Sequence, residues 1–274
     1  MNRIPLARRA QILSCLCEGN SVRATCRMTD SSKDAVLKLI ADVGEACRKH
    51  HDEQVCGLTC SRVQMDEVWS FVHAKEKNVP ASVKGQFGHG DVWTWTAIEA
   101  QTKLIIAWHV GRRDGASARV FVQDVARRIL NRIQLTTDGH RAYLDAVDEA
   151  WATDVDYAML QKLYGTEPES ETRYSPAKCI GTRRDVVSGH PDSKHVSTSY
   201  VERQNLTIRM SNRRFTRLTN AFSKKLANHK HMLAIFFVYY NFARIHQTLR
   251  ITPAMEAGIS DHVWSLEEIA GLAE

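Results

Sequence analysis

Residues 62–73 read RVQMDEVWSFVH, and residues 91–99 read DVWTWTAIE. β-Branched and aromatic residues dominate both runs, which suits a pleated, half-buried backbone. Gly88, Gly90 and Gln101-Thr102 supply turn chemistry around them, and a third run of the same kind occupies 103–110. Within 117–130 the period changes, and Val120, Phe121, Val125 and Ile129 form the stripe of a helix. Residues 132–137 return to strand character, 140–150 suit a short helix, and 154–159 offer a fifth strand. Three strands, a helix, a strand and a helix describe an α/β chain with a mixed sheet rather than a bundle or sandwich.

Upstream, residues 1–48 read as three short helices. Gly19-Asn20 ends the first, Ser21 caps the second, and Ser31-Ser32-Lys33-Asp34 opens the third. A tight turn at Thr29-Asp30 between the last two predicts a helix-turn-helix module whose third helix suits a DNA major groove. Ser32, Lys33 and Lys38 are its candidate DNA contacts. A linker is expected at 49–61, a catalytic core over 62–215, and a C-terminal helical region over 216–274. Residues 161–198, with Pro168, Pro176 and Pro191 and little periodicity, read as an insertion or long loop. Helical pattern returns at 199–214 and 223–243.

The chain has 274 residues, 43% of them apolar, enough for a full core. Its longest apolar stretch, 232–240, has nine residues, against the roughly 18–20 that cross a bilayer. With no apolar segment near the N-terminus, a cytoplasmic protein without a membrane partner is expected. The seven cysteines read as small buried hydrophobes in a reducing compartment. Cys47, His50, His51, Cys56 and Cys60 form the one cluster in which zinc is worth weighing, though their spacing matches no familiar finger.

The net charge of +6 is unevenly spread. Residues 63–202 carry −2, residues 203–250 carry ten cations and no carboxylate, and residues 251–274 carry −5. A segment of ten unopposed cations suits a polyanion, since each neutralised phosphate releases counterions. An RNA or lipid surface, or a face packed on the acidic tail, is the alternative. Arg209, Arg213, Arg214, Arg217, Lys224 and Lys225 are the candidate phosphate contacts, which position DNA without reading its sequence.

Three acidic positions stand where an α/β enzyme places chemistry. Asp66 shares the middle of an apolar strand with Glu67; the two point to opposite faces, and alternation alone does not choose between them. Asp138 follows the fourth strand in Thr136-Thr137-Asp138-Gly139-His140, either as a site residue or as the cap of the next helix. Glu202 lies three residues after Ser199, so it completes a capping box or, with Asn205 and Arg209 on its face, borders a site. Three convergent carboxylates repel one another unless cations neutralise them, and their oxygens suit Mg²⁺. Trp69, Trp93, Trp95 and Trp108 fall on strands and read as core aromatics.

Together these stretches resemble the DDE transposases of bacterial insertion sequences, with their ribonuclease H-like core, and most closely the insertion-sequence-one type. The matching segments are Met65-Asp66-Glu67-Val68-Trp69, Gly90-Asp91-Val92-Trp93-Thr94-Trp95, Thr136-Thr137-Asp138-Gly139-His140 and Ser199-Tyr200-Val201-Glu202-Arg203-Gln204-Asn205. Arg213-Arg214-Phe215-Thr216-Arg217 and Tyr240-Asn241-Phe242-Ala243-Arg244 extend the likeness over nearly the whole chain. The resemblance implies Asp66, Asp138 and Glu202 as a catalytic and metal-binding triad for Mg²⁺, with Mn²⁺ able to substitute, and so selects Asp66 over Glu67. It implies cleavage to 3′-hydroxyl ends and strand transfer, with double-stranded DNA (element ends and target) and further copies of the chain as partners, in association with the nucleoid. Two features depart from the pattern: Arg244-Ile245-His246 stands where Arg-Pro-His is common, and the stretch between Leu249 and Pro253 is short. A DNA-binding regulator derived from an inactive transposase and a structure-selective nuclease are the competing readings.

Overall fold

The computed structural model describes residues 4–165, 179–216 and 219–274. Three helices come first: α1 (Leu6–Cys17), α2 (Val22–Thr29) and α3 (Lys33–Gln54). Ser21 and Ser32 accept backbone N–H bonds at the starts of α2 and α3, so both serine caps form. Asp30 turns the chain between these helices in the left-handed region, at φ 46°. α3 continues to Gln54, through the first half of the expected linker. The reason is its buried stripe, which runs on from Val43 through Cys47 to His51.

The sheet is built from β1 (Arg62–Val72), β2 (Gly90–Glu99), β3 (Ile105–Gly111), β4 (Ile133–Thr137), β5 (Val155–Tyr164) and β6 (Cys179–Ser188). Its order is β3-β2-β1-β4-β5-β6. β1, β2 and β3 pair antiparallel, β4 lies parallel to β1 and to β5, and β6 is antiparallel to β5. This is the mixed α/β sheet with flanking helices expected for a ribonuclease H-like core.

One stretch departs from expectation. Among the described residues of 161–198 much is not loop, since β5 runs on to Tyr164 and β6 pairs with it, while residues 166–178 lie outside the described residues. β6 is an edge strand with neither face buried, so it carries no apolar alternation to read. Its Arg183, Arg184 and Asp185 keep a lone edge from pairing with other chains.

α4 (Gly115–Arg128) and α5 (Ala142–Trp151) cover one face of the sheet, where Trp95 packs against Phe121 and Tyr143. α6 (Ser199–Ser211) and α7 (Leu226–Val238) cover the other, where Trp108 meets Phe237. α7 is buried almost all round, from Met232 to Val238, and ends in one wider helical turn over Tyr239–Ala243. Two short helices, α8 (Pro253–Glu256) and α9 (Leu266–Gly271), complete the chain.

The N-terminal helices share the same hydrophobic core as the sheet. α3 lies so close to α7 that a Cβ on Gly44 would fall 2.4 Å from the Cβ of His231. Asn241 ties the C-terminal region to β3: its Oδ1 accepts from the Ile105 N–H at 3.0 Å and its Nδ2 donates to the Ile105 carbonyl at 2.9 Å. The acidic tail meets α1, where Glu274 pairs with Arg9, and it also packs on the end of the 203–250 segment, where Trp264 meets Phe242. No described helix is long and apolar enough to cross a membrane.

Candidate active site

β1 and β4 run side by side only as far as the pair Met65↔Thr137. β4 stops there, so the next residues of β1, Asp66 and Glu67, border a gap left by the lost neighbour. Asp138 enters the same gap as the chain leaves β4. Gly139 makes the turn possible: a Cβ there would stand 2.8 Å from the Cγ of Gln161. One oxygen each from Asp66, Glu67 and Asp138 lies within 4.8 Å of the others, the only such acidic or His/Cys cluster among the described residues.

Asp66 and Glu67 do lie on opposite faces of β1, as alternation requires. Asp66 looks toward α6, where Asn205 Nδ2 donates to its Oδ2 at 2.8 Å. Glu67 looks toward α5, with the Tyr143 phenol beside it. Their carboxyls still approach each other because the missing strand opens both faces to one space. Glu67 was set aside by the family resemblance, and nothing in the sequence signals the end of pairing that brings it in.

The electrostatics follow from this crowding. Burial first, and the Asp138 charge second, push both Asp66 and Glu67 up to about 7. The Glu67 side chain is only 1% exposed, and its Oε1 has no hydrogen-bond partner. Arg113 offsets part of the charge, with Nε 3.2 Å from Glu67 Oε2 and Nη2 3.6 Å from Asp138 Oδ2. Its guanidinium rests 4.9 Å from the centre of the Trp93 ring. Burial and the nearby Arg113 charge hold His140 below its ordinary value.

Glu202 stands outside the compact trio, on the wall of the same cleft of about 600 Å³, together with Asp66, Asp138, Lys162 and Arg113. It forms no capping box: Thr198 occupies the cap position of α6 and makes no cap bond with its side chain. The Glu202 carboxylate instead accepts from Thr198 Oγ1 at 2.6 Å and pairs with Lys162. Asp138 is no cap either, because α5 begins only after Arg141. Its Oδ1 accepts the His140 N–H at 2.9 Å.

These groups fit a divalent cation. Hard oxygen donors converge, one of them buried without a partner, and burial and then the Asp138 charge make two of them hold a proton more tightly than usual. The Cys/His cluster does not converge in this way. Cys47 and His51 are buried in α3, His50 packs on Phe242 and Trp264, and Cys56 points its thiol at the Glu53 carbonyl.

The expected DNA contacts are spread over two regions. Ser32, Lys33 and Lys38 are exposed at the start of α3, with Ser32 serving as its cap and Lys38 paired to Asp42 at 2.7 Å. Lys224 and Lys225 are exposed before α7, the Lys224 ammonium lying over the Phe222 ring. Arg209 and Arg213 are half-buried. Arg214 is half-buried as well, with its Nε lacking a partner and burial drawing the group down to about 10. Arg217 lies outside the described residues.

No family model matches the chain, and no curated protein does. Among solved structures it is similar to a piggyBac transposase synaptic complex with hairpin DNA, at 12% identity and a TM-score of 0.40, over 98% of this chain and 69% of that one. It is also similar to a Mos1 transposase paired-end complex with the left transposon end, at 12% identity and a TM-score of 0.24, over 57% and 59% of the two chains. A Mos1 strand transfer complex gives 10% identity and a TM-score of 0.26, over 86% and 75%.

Proposed function

We propose that the chain is a DNA transposase of the insertion-sequence-one-like kind, cleaving and rejoining strands by phosphoryl transfer at the acidic cleft. The observation that carries this reading is the convergence of Asp66 and Asp138 at the break between β1 and β4, with Glu202 on the facing wall. Asp66, Asp138 and Glu202 would hold Mg²⁺, or Mn²⁺ in its place, and Glu67 adds a fourth carboxyl. When bound, such ions activate an attacking oxygen and stabilise the departing one.

The remaining work falls to the chain's own residues. Asn205 fixes the orientation of the Asp66 carboxyl. Arg113 neutralises Glu67 and Asp138 without entering the trio. Lys162 occupies Glu202 until a stronger cation competes for it. The exposed cations of the 203–250 segment and the start of α3 hold double-stranded DNA, element end and target alike, across the cleft. Holding two ends at once calls for more than one copy of the chain.

The test is cleavage of a supercoiled plasmid carrying the DNA that flanks the reading frame, with Mg²⁺ and with EDTA. Asp66→Asn, Asp138→Asn and Glu202→Gln are expected to abolish Mg²⁺-dependent cleavage and to retain DNA binding. Full cleavage by all three variants would overturn the reading. A wild type that binds this DNA and never cuts it would be the regulator instead.

A further inference from the structure

The far side of α6 holds a second recess, of about 340 Å³. Helical spacing sends Thr198, Glu202 and Asn205 to the acidic cleft and Tyr200, Arg203, Gln204 and Thr207 to the opposite side. The recess is closed by Lys103, which follows β2, and by the segment after α7 that contains Arg244 and His246. Among the described residues, no Asp or Glu lines it.

We propose that this recess is a phosphate-binding subsite that grips a nucleic-acid strand alongside the acidic cleft. The proposal rests on the nucleic-acid reading above and adds a second anchoring point to it.

Two independent features support it. The first is uncompensated charge. Among the described residues, Lys103, Arg203 and Arg244 have no carboxylate partner. The Lys103 ammonium lies 3.4 Å from the centre of the Tyr200 ring and donates to the Ala100 carbonyl. Among the described residues, Arg244 donates to the Ser211 hydroxyl, at 3.2 Å. His246 is held below its ordinary value by burial and then by Lys103, Arg244 and Arg203, as expected where cations crowd together unopposed. The second feature is Gln204, 2% exposed, whose Nε2 lacks any hydrogen-bond partner. A buried donor left unpaired is rare in a folded protein, and here it lines a cationic recess.

A phosphate satisfies both. Its oxygens accept from the planar guanidinium forks and the ammonium in charge-assisted bonds, and Gln204, whose Nε2 is sealed until the side chain turns toward the recess, offers a further donor. The recess does not enclose its ligand: Arg203, Gln247 and Thr248 are exposed at its rim. That openness favours a phosphate belonging to a continuing strand over a free small molecule. Glu202 and Arg203 are adjacent on one helix, so a strand seated here passes close to the carboxylates.

The test uses the full chain in EDTA, which separates binding from any cleavage. A labelled duplex of about 20 base pairs is titrated by fluorescence anisotropy across a range of salt. The double variant Lys103→Gln/Arg203→Gln is expected to weaken binding about tenfold near 0.1 M salt. It should also flatten the slope of log K against log salt by about 1.8, the loss of two phosphate contacts. Both side chains are at least partly exposed, and matching melting temperatures verify that the variant is folded. An affinity within twofold of the wild type, with an unchanged slope, overturns the proposal. Inorganic pyrophosphate is the second probe. Displacement of the duplex by pyrophosphate, with the wild type stabilised against heat and the variant not, supports it. Stabilisation by pyrophosphate in a protein that binds no duplex would show a small-phosphate site and overturn the strand assignment.

Discussion

Removing one charge from the acidic trio should make the cation-free protein more stable while destroying its activity. Asp66 is lifted from an ordinary value of 3.8 to about 7, by burial and then by Asp138. Its folded form therefore holds a proton more tightly than the unfolded chain does. Stability contributed by this group is present at low pH, declines as pH rises from about 4, and is lost once pH passes about 7. The full displacement corresponds to an upper limit of about 4 kcal/mol, and because Asp138, Glu67 and Glu202 share the repulsion, about 2 kcal/mol is assigned to Asp66 alone. Asp66→Asn keeps the shape. Its new amide faces Asn205, whose Oδ1 has no partner, so a turned Asn205 amide restores the hydrogen bond. Thermal unfolding in EDTA at about pH 8 should place the variant about 4–8 °C above the wild type. The gap should narrow as pH falls below about 7 and close only near pH 4 and below, where the carboxyl is protonated in the folded and the unfolded chain alike. Equal melting at the higher pH, or a gap that does not shrink on acidification, would refute this account of the cleft.

Asn241→Ala should be among the costly core substitutions. It leaves the buried Ile105 N–H unpaired while His51 Nε2, 3.2 Å away, still serves the Ile105 carbonyl; a loss of about 2–4 kcal/mol in chemical denaturation is expected, and a loss below about 0.5 kcal/mol would contradict it. Lys162→Gln should release Glu202 from its ion pair. In a Mn²⁺ titration followed by thermal shift, the midpoint should fall about threefold to fivefold, the worth of a partly exposed pair near 1 kcal/mol; an unmoved midpoint would show that Lys162 does not compete with the cation.

The sheet was readable where its strands are buried. β1, β2 and β3 announce themselves through Val, Ile and Trp, and β4 through the apolar run before Asp138. β6 was not readable, since Ile180, Val186 and Val187 are exposed and lie among charges on an unburied edge. The length of α3 was missed because His50, His51 and Cys47 invite a chemical reading, whereas Cys47 and His51 are packing residues on a continuing stripe. At the site, Asp66 and Asp138 stood out in the sequence only as candidates, since the choice of Asp66 over Glu67 and of Asp138 over a helix cap came from the family resemblance and not from position in the strands. The part of Glu67 was not legible, because it depends on where β4 stops. The capping-box spacing at Ser199 and Glu202 was present but unused, as Thr198 took the cap position. The basic recess was hidden by distance along the chain: Lys103, Gln204 and His246 meet only through folding.

The close crossing at Gly44 and His231 fixes α3 to the body that carries the acidic cleft. A flexible tether would let a groove-reading helix and a cutting centre find their targets independently. Here α3 is clamped to α7, and α7 to the sheet that carries Asp66, so the two ends behave as the jaws of a fixed gauge. Under the transposase reading proposed above, the spacing between base pairs held by α3 and a phosphate attacked at the cleft would be a property of the folded chain, and lengthening the DNA between them by even one step would move the bond out of reach.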